Sequence, residues 1–401
     1  MRRTARAIIA IGVITVSAER AIAQNGGEHM LPVRRDARDA VFKAFEHYQV
    51  VLLGEVHWSV AEHKFIDGVL HDPRLPATVR DIAVEFANAS YQPLIDRYIA
   101  GGKVPADSLR QIWQNVIVPM AWDSPLYATF FRTVREVNRK LPVDQKLRVV
   151  ALDPPIRWAD VRNTDDIPRK WGYRDPVWFE VLDREVLLRR RKALVICGAL
   201  HIIRRDPSTG FLPAPIERAG LGDALDQRYP GAAYSIYPLL GTDGRLVNMW
   251  RPNSLGEVKG TSVGARTSHD LLPGSLTIFR MVDGKRVPHQ LQENEYPRIE
   301  ALVGAVAYYG SGELTQPDVR SYRDPAYVAE LHRRSAIVQP MFGQDLDTLI
   351  DNRARLACGG SRKGAAKPRV NGGCGLEPAA HRRSIHEISF AKLRFEIPLL
   401  W

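Results

Sequence analysis

Two histidines stand at the same offset from a glycine, in Gly54-Glu55-Val56-His57 and in Gly198-Ala199-Leu200-His201. Each segment ends a run of apolar residues; Glu85 lies inside a third such run and Asp153 ends a fourth. Imidazole and carboxylate together are good ligands for a borderline divalent ion such as zinc, manganese, cobalt or iron. If the backbone stays extended to His57, then Glu55 and His57 share one face, because strand side chains alternate. Singly, each residue has an ordinary reading: a glutamate after a strand caps a helix or meets solvent, and a histidine is a satisfied structural group. Two Gly-x-x-His segments, each after a buried run, point instead to a joint site, with a polar network tying loops together as the competing account.

On the first reading His57 and His201, with one or both of Glu55 and Glu85, hold a divalent transition metal. The ion would lower the pKa of a bound water and polarise a carbonyl, with the remaining carboxylate as general base. Asp153 would orient a histidine, and Arg157, shortly after the third strand, would stabilise an oxyanion. His63 and His71 read as surface residues on the helix that follows. Other chemistries find less support: Gly310-Ser311-Gly312 lacks the Gly-x-Ser-x-Gly frame, and neither a phosphate-binding glycine loop nor a His-Glu-x-x-His helix occurs. Trp58, Trp122, Trp158 and Tyr127 fall near strand ends, where they either line a flat ligand's pocket or, more simply, belong to the core.

The elements that must position these residues are legible as periodicities. Continuous apolar runs at 48–53, 81–86, 147–152, 192–198 and 232–239 predict strands buried on both faces of a parallel sheet. Between them, amphipathic spacing predicts helices over 36–47, 60–71, 91–100, 107–117, 125–140, 175–190 and 216–227. Alternation of this kind implies an α/β fold with a doubly wound, mainly parallel sheet and helices on both faces. Ligands of such sheets bind outside the carboxyl ends of the strands, where all of these polar residues are placed. Residues 241–300, richer in turn signals apart from a strand-like run at 275–282, are expected to cover the sheet or form a lid. A last unit runs through 301–309 and a helix opened by Asp324-Pro325.

The two ends read differently. Arg2, Arg3 and Arg6 precede an apolar run from Ala7 to about Ala18, and Ala21-Ile22-Ala23 is a small-x-small cleavage signature, so residues 1–23 read as a secretory signal peptide. Residues 359–401 are Gly- and Arg-rich, lack periodicity and are expected to be a disordered basic tail, a less regular extension of the 24–358 domain. Much of the net charge of +11 lies at these ends: four arginines against one glutamate in the first segment, eight basic residues against three acidic in the last. That distribution argues against a nucleic-acid partner. No stretch after the signal has eighteen consecutive apolar residues, so no transmembrane segment is expected in the mature chain. Of three cysteines, Cys197 reads as a small buried hydrophobe, while Cys358 and Cys374 flank a glycine-rich stretch and are a possible pair in an oxidising compartment.

At the site residues the sequence resembles the ChaN-like branch of the Tiki, TraB and erythromycin-esterase-like superfamily. The resemblance rests on Val51-Leu52-Leu53-Gly54-Glu55-Val56-His57, on Ala83-Val84-Glu85-Phe86 with Gln92-Pro93-Leu94-Ile95-Asp96-Arg97-Tyr98, and on Leu194-Val195-Ile196-Cys197-Gly198-Ala199-Leu200-His201. It implies an α/β fold whose site is built from the two Gly-x-x-His segments and the acidic residues. Tiki-like members resemble metal-dependent peptidases, erythromycin-esterase-like members hydrolyse lactones, and ChaN-like members are associated with haem binding and iron uptake. The implied partner is thus a small-molecule or peptide substrate, or haem. His57 follows Glu55 by two positions, as in ChaN-like and Tiki-like motifs rather than the esterases, and the lipid-attachment cysteine common on ChaN-like proteins is absent. A mature chain beginning at Gln24 and recovered from the periplasmic fraction without detergent is the expected outcome of amino-terminal sequencing; Met1 in membrane pellets would contradict it.

Overall fold

The computed structural model describes residues 32–204, 219–239, 250–271, 277–282, 285–290, 292, 295–310, 312–342 and 346–358. The expected signal segment, the basic tail and Cys374 lie outside them. In chain order the strands are β1 (Arg34–Asp36), β2 (Val50–Glu55), β3 (Asp81–Asn88), β4 (Arg148–Asp153), β5 (Ala193–Gly198), β6 (Ala233–Pro238), β7 (Ser254–Glu257), β8 (Thr277–Val282), β9 (Lys285–Gln290) and β10 (Ala305–Tyr308). Eight form one sheet in the order β1-β7-β10-β6-β2-β5-β3-β4, and β8 pairs with β9 alone. From β10 to β4 every pairing is parallel, while β7 and β1 add antiparallel pairings at one edge.

The helices are α1 (Ala37–Ala44), α2 (Val60–Leu70), α3 (Arg74–Thr78), α4 (Gln92–Ile99), α5 (Ala106–Gln114), α6 (Pro125–Lys140), α7 (Asp175–Leu182), α8 (Leu221–Arg228), α9 (Ile299–Leu302), α10 (Pro325–Phe342) and α11 (Asp347–Ala357). Period-two alternation sends the strand side chains to opposite faces. Val51, Leu53, Val84, Ile196 and Val149 pack with residues of α1, α2, α4, α5 and α6, while Val50, Leu52, Ala83, Val195 and Val150 pack with those of α7 and α8. Both faces of the sheet are therefore covered, which is why its strands read as unbroken apolar runs. A further layer sits beyond the strand ends: α10 packs on Ile156, Trp158, Val161 and Ile167, and α11 on Met120 and Tyr322.

Expected and observed elements differ in instructive places. The helix foreseen over 175–190 ends at Leu182 and continues as a wider π turn over Asp183–Leu187. Within 241–300, expected as a cover or lid, β7 enters the sheet itself, and β1 joins beside it. Both are short, and the three residues of β1, Arg34, Arg35 and Asp36, are exposed, so neither shows the alternation that marks a half-buried strand. Gly256 of β7 is required by close approach: a Cβ there would lie 2.4 Å from Trp250 Cη2 and 3.1 Å from Pro32 Cβ. Gly256→Ala is expected to cost about 1–3 kcal/mol in urea unfolding through overpacking of this edge; unchanged stability would show that Trp250 yields freely.

Candidate active site

The strand order determines what meets at the carboxyl end of the sheet. β5 lies between β2 and β3, with Gly198 in register with Glu55 on one side and Ile196 with Val84 on the other. β5 thus ends in a residue without a side chain, between the two strands that carry the glutamates. A Cβ at Gly198 would lie 3.0 Å from His57 Cε1, 3.2 Å from His57 Nε2 and 3.2 Å from His201 Cδ2. The missing side chain is therefore the space in which the two imidazoles approach each other. β2 stops at Glu55 and the chain turns, with Trp58 at φ 70°. Even so, His57 Nδ1 remains 3.4 Å from Glu55 Oε2.

Each histidine is held at Nδ1 by a carboxylate. His201 Nδ1 lies 2.9 and 2.8 Å from the two oxygens of Asp175, which also accepts the Leu221 N–H at 2.8 Å. A neutral imidazole bonded this way carries its proton on Nδ1 and presents the Nε2 lone pair. Glu55 is buried, and its Oε1 contacts His63 Nε2 at 2.7 Å and accepts the Tyr127 hydroxyl at 2.9 Å. Burial opposes its ionisation, but the hydrogen bonds and charges of His57 and His63 win and hold it well below the usual carboxylate range. In return, although burial lowers it, the pKa of His57 ends above its ordinary value through the Glu55 hydrogen bond and the charges of Glu55 and Glu85.

A second cluster centres on Arg174. Its Nη2 donates to Glu85 Oε1 at 2.8 Å and its Nε to Asp153 Oδ1 at 3.1 Å; Glu85 Oε2 accepts the Gly198 N–H at 2.5 Å, and Asp153 Oδ2 that of Ile117 at 2.8 Å. The β3–β4 register slips between Val84 and Asn88, an irregularity of the kind that re-aims side chains beside active sites. Burial would raise the Glu85 pKa, yet Arg174, His201, His57 and the Gly198 N–H bring it below the ordinary value. For Asp153 burial prevails, and its pKa is pushed up to about 6 despite the same arginine. The two clusters meet where His201 Nε2 lies 3.9 Å from Glu85 Oε1.

Of the residues singled out from sequence, Glu55, His57, Glu85, Asp153 and His201 come together at one end of the sheet. Arg157 does not: its side chain is exposed and paired with Asp160 at 2.8 Å. The cation beside the carboxylates is Arg174 instead. His63, expected on the surface, is buried on Glu55; the signal was its place on the apolar stripe of α2 with Ile66 and Leu70. Asp175 and Tyr127 also contribute contacts that no local motif announced. Trp122, Trp158 and Tyr127 are core residues as expected, and Trp122 additionally packs edge-on against His57, with ring centroids 4.4 Å apart.

The donor set fits a divalent ion poorly. Both oxygens of Glu85 and both of Asp153 already accept N–H donors, and Glu55 Oε1 meets two partners. Among the described residues no three His, Cys, Asp or Glu side chains are grouped so as to hold a metal. The guanidinium of Arg174 occupies the electrostatic role that an ion would take between the carboxylates.

An open, mainly parallel sheet with helices on both faces and a cluster of carboxylates and imidazoles at its carboxyl end defines an α/β protein. Residues 41–164 match the family described as haem-binding uptake, Tiki superfamily, ChaN, and on that segment the chain is similar to it. The match spans about a third of the chain and stops before His201. Solved structures similar to this chain include an erythromycin esterase, EreC, in an open conformation (10% identity, 70% of this chain and 94% of that one, TM-score 0.39). Others are ChaN of Campylobacter jejuni with cofacially bound haem (12%, 52% and 91%, 0.32) and the type III effector HopBA1 (17%, 54% and 89%, 0.34). No curated protein matches the chain. Among the described residues no helix is long and apolar enough to cross a membrane.

Next to the site, Glu62 accepts the Val56 N–H at Oε2, 2.8 Å, while its buried Oε1 has no hydrogen-bond partner among the described residues. Burial, and then the charge of Glu55, raise its pKa well above the usual value. The folded state therefore keeps a proton that the unfolded chain releases above about pH 4.5, so this group lowers stability as pH rises through that window. Glu62→Gln removes the titration: its melting temperature relative to the parent is expected to be higher at pH 8 than at pH 5. Parallel curves for parent and variant would contradict a protonated Glu62.

Proposed function

We propose that this protein is a hydrolase of carbonyl esters or lactones that works through two carboxylate-oriented imidazoles without a resident metal. The observation that carries the reading is the approach of His57 and His201 over Gly198, each with its Nδ1 on a separate carboxylate. In the proposed step His201 Nε2 takes a proton from water as the water oxygen bonds to the carbonyl carbon. His57, whose protonated form is favoured by Glu55 and Glu85, gives a proton to the leaving oxygen as its bond to carbon breaks. Asp175 stabilises the imidazolium formed on His201, and Arg174 keeps Glu85 ionised so that Glu85 supports the charge on His57.

The test is hydrolysis of a panel of activated esters and lactones with and without chelator. Activity indifferent to chelator is expected, with His57→Ala and His201→Ala each reducing kcat/KM by about 10²–10⁴-fold and the double variant scarcely worse. Glu55→Gln removes the support for the His57 proton, so the basic limb of the pH–rate profile should move to lower pH. Activity lost on chelation and restored by zinc or manganese would overturn the metal-free reading, and a panel untouched by the parent protein would overturn the hydrolase.

The family description supports a second reading, haem binding without turnover. His57 offers an imidazole edge that is partly open to solvent beside Trp122, chemistry suited to an axial ligand of haem iron. Protein purified from an export host would then show a Soret band that His57→Ala abolishes. Export to the periplasm is part of either proposal and rests on the sequence of residues 1–23.

A further inference from the structure

The loop that packs against His57 is held in place by the last described helix of the chain. Trp122, whose indole meets His57 edge-on, is followed by Asp123, which is buried together with Arg353 of α11 and Tyr322. Arg353 Nη1 donates to Asp123 Oδ2 at 2.8 Å, to the Tyr322 hydroxyl oxygen at 2.9 Å and to the Met120 carbonyl at 3.2 Å, and the Tyr322 hydroxyl donates to the same carboxylate oxygen. The guanidinium also lies 5.1 Å from the ring of Trp58, the residue that follows His57, and Trp58 Nε1 donates to Ala121 O at 2.8 Å. One cation therefore grips both the residue after His57 and the loop that His57 leans on.

Two features show that this loop needs the grip. Met120 and Trp58 both have positive φ, 65° and 70°, a conformation that a side-chain-bearing residue keeps only where its surroundings enforce it. Asp123 is a buried carboxylate whose other oxygen, Oδ1, has no hydrogen-bond partner among the described residues, so without Arg353 its charge would be uncompensated. The Thr315 N–H to Trp58 O bond, 2.9 Å, and that from Asp318 N–H to Asp123 O, 2.6 Å, tie the same two segments to the chain just before α10. All of these supports lie beyond residue 164, where the family match ends.

We infer that Arg353 is a positioning residue for His57, and that Thr315, Asp318, Tyr322 and Arg353 are working parts of the site rather than an appendage. The inference rests on the proposed function only for its kinetic arm. The test uses the whole chain labelled with ¹⁵N-histidine, its His57 and His201 imidazole signals assigned from the alanine variants. In Arg353→Met the His57 signals are expected to shift or broaden while those of His201 stay in place, and Arg353→Lys, which keeps a cation for Asp123, should restore them in part. Ester hydrolysis by Arg353→Met should lose about 10-fold or more in kcat with KM little changed. Should Arg353→Met not fold, Arg353→Gln, which removes the cation but leaves an N–H donor for Asp123 Oδ2, carries the same comparison. Unmoved His57 signals in a folded variant, or equal movement of both histidines, overturns the inference. A parent protein that hydrolyses nothing, with the selective His57 response intact, overturns the hydrolase and leaves the positioning role standing.

Discussion

Two carboxyl groups, Glu85 and Asp153, lie within reach of a single guanidinium at the buried end of the sheet, where water cannot screen them. Taking such charges out of water is costly, and removing the cation from a buried cluster typically costs about 3–5 kcal/mol because the remaining charges are left without compensation. Arg174 serves both carboxylates through different nitrogens, a fork that a lysine does not possess. Its own backbone pays in conformation, at φ 51°, a strain on the order of 1–3 kcal/mol for a residue with a side chain. The contact of its guanidinium with the Trp178 ring, 4.6 Å away, fixes it from the other side.

The remainder of the site is arranged around that cation. With Glu85 held ionised, its charge reaches both His57 and His201, but the two rings are not equivalent. His57 shares its carboxylate with His63 and Tyr127, and so sits on an anion already engaged by several donors. His201 has Asp175, at the first turn of α7, one residue from Arg174.

The parallel core of the fold was legible because strands buried on both faces must be mostly apolar, as β2, β3, β4 and β5 are apart from the polar residues at their ends and Glu85. The placement of Glu55, His57, Glu85, Asp153 and His201 at one end followed from where those runs stop. What could not be read locally is whatever acts at long range. Arg174 meets Glu85 across 89 residues and Arg353 meets Asp123 across 230, with nothing in either neighbourhood to mark the pair. Arg157 illustrates the converse: nearness in sequence to a strand end is no guarantee, since its side chain points to solvent and pairs with Asp160. The edge strand β1 and its neighbour β7 were hidden by their brevity.

The order β2-β5-β3 also bears on how the molecule comes into being. Strands β2 and β3 leave the ribosome well before β5, yet neither pairs directly with the other, since β5 lies between them. Until residues 193–198 arrive, each has an unpaired edge on that side, and the gap that will become Gly198 has no walls. Long-range parallel pairing of this kind is slow, because a large loop must close before any contact rewards it. Until β5 is made, about halfway along the chain, those two apolar strand edges stay open to chaperones and to one another's copies. The carboxyl end of the sheet, with its paired histidines, can close only once that middle strand is in place.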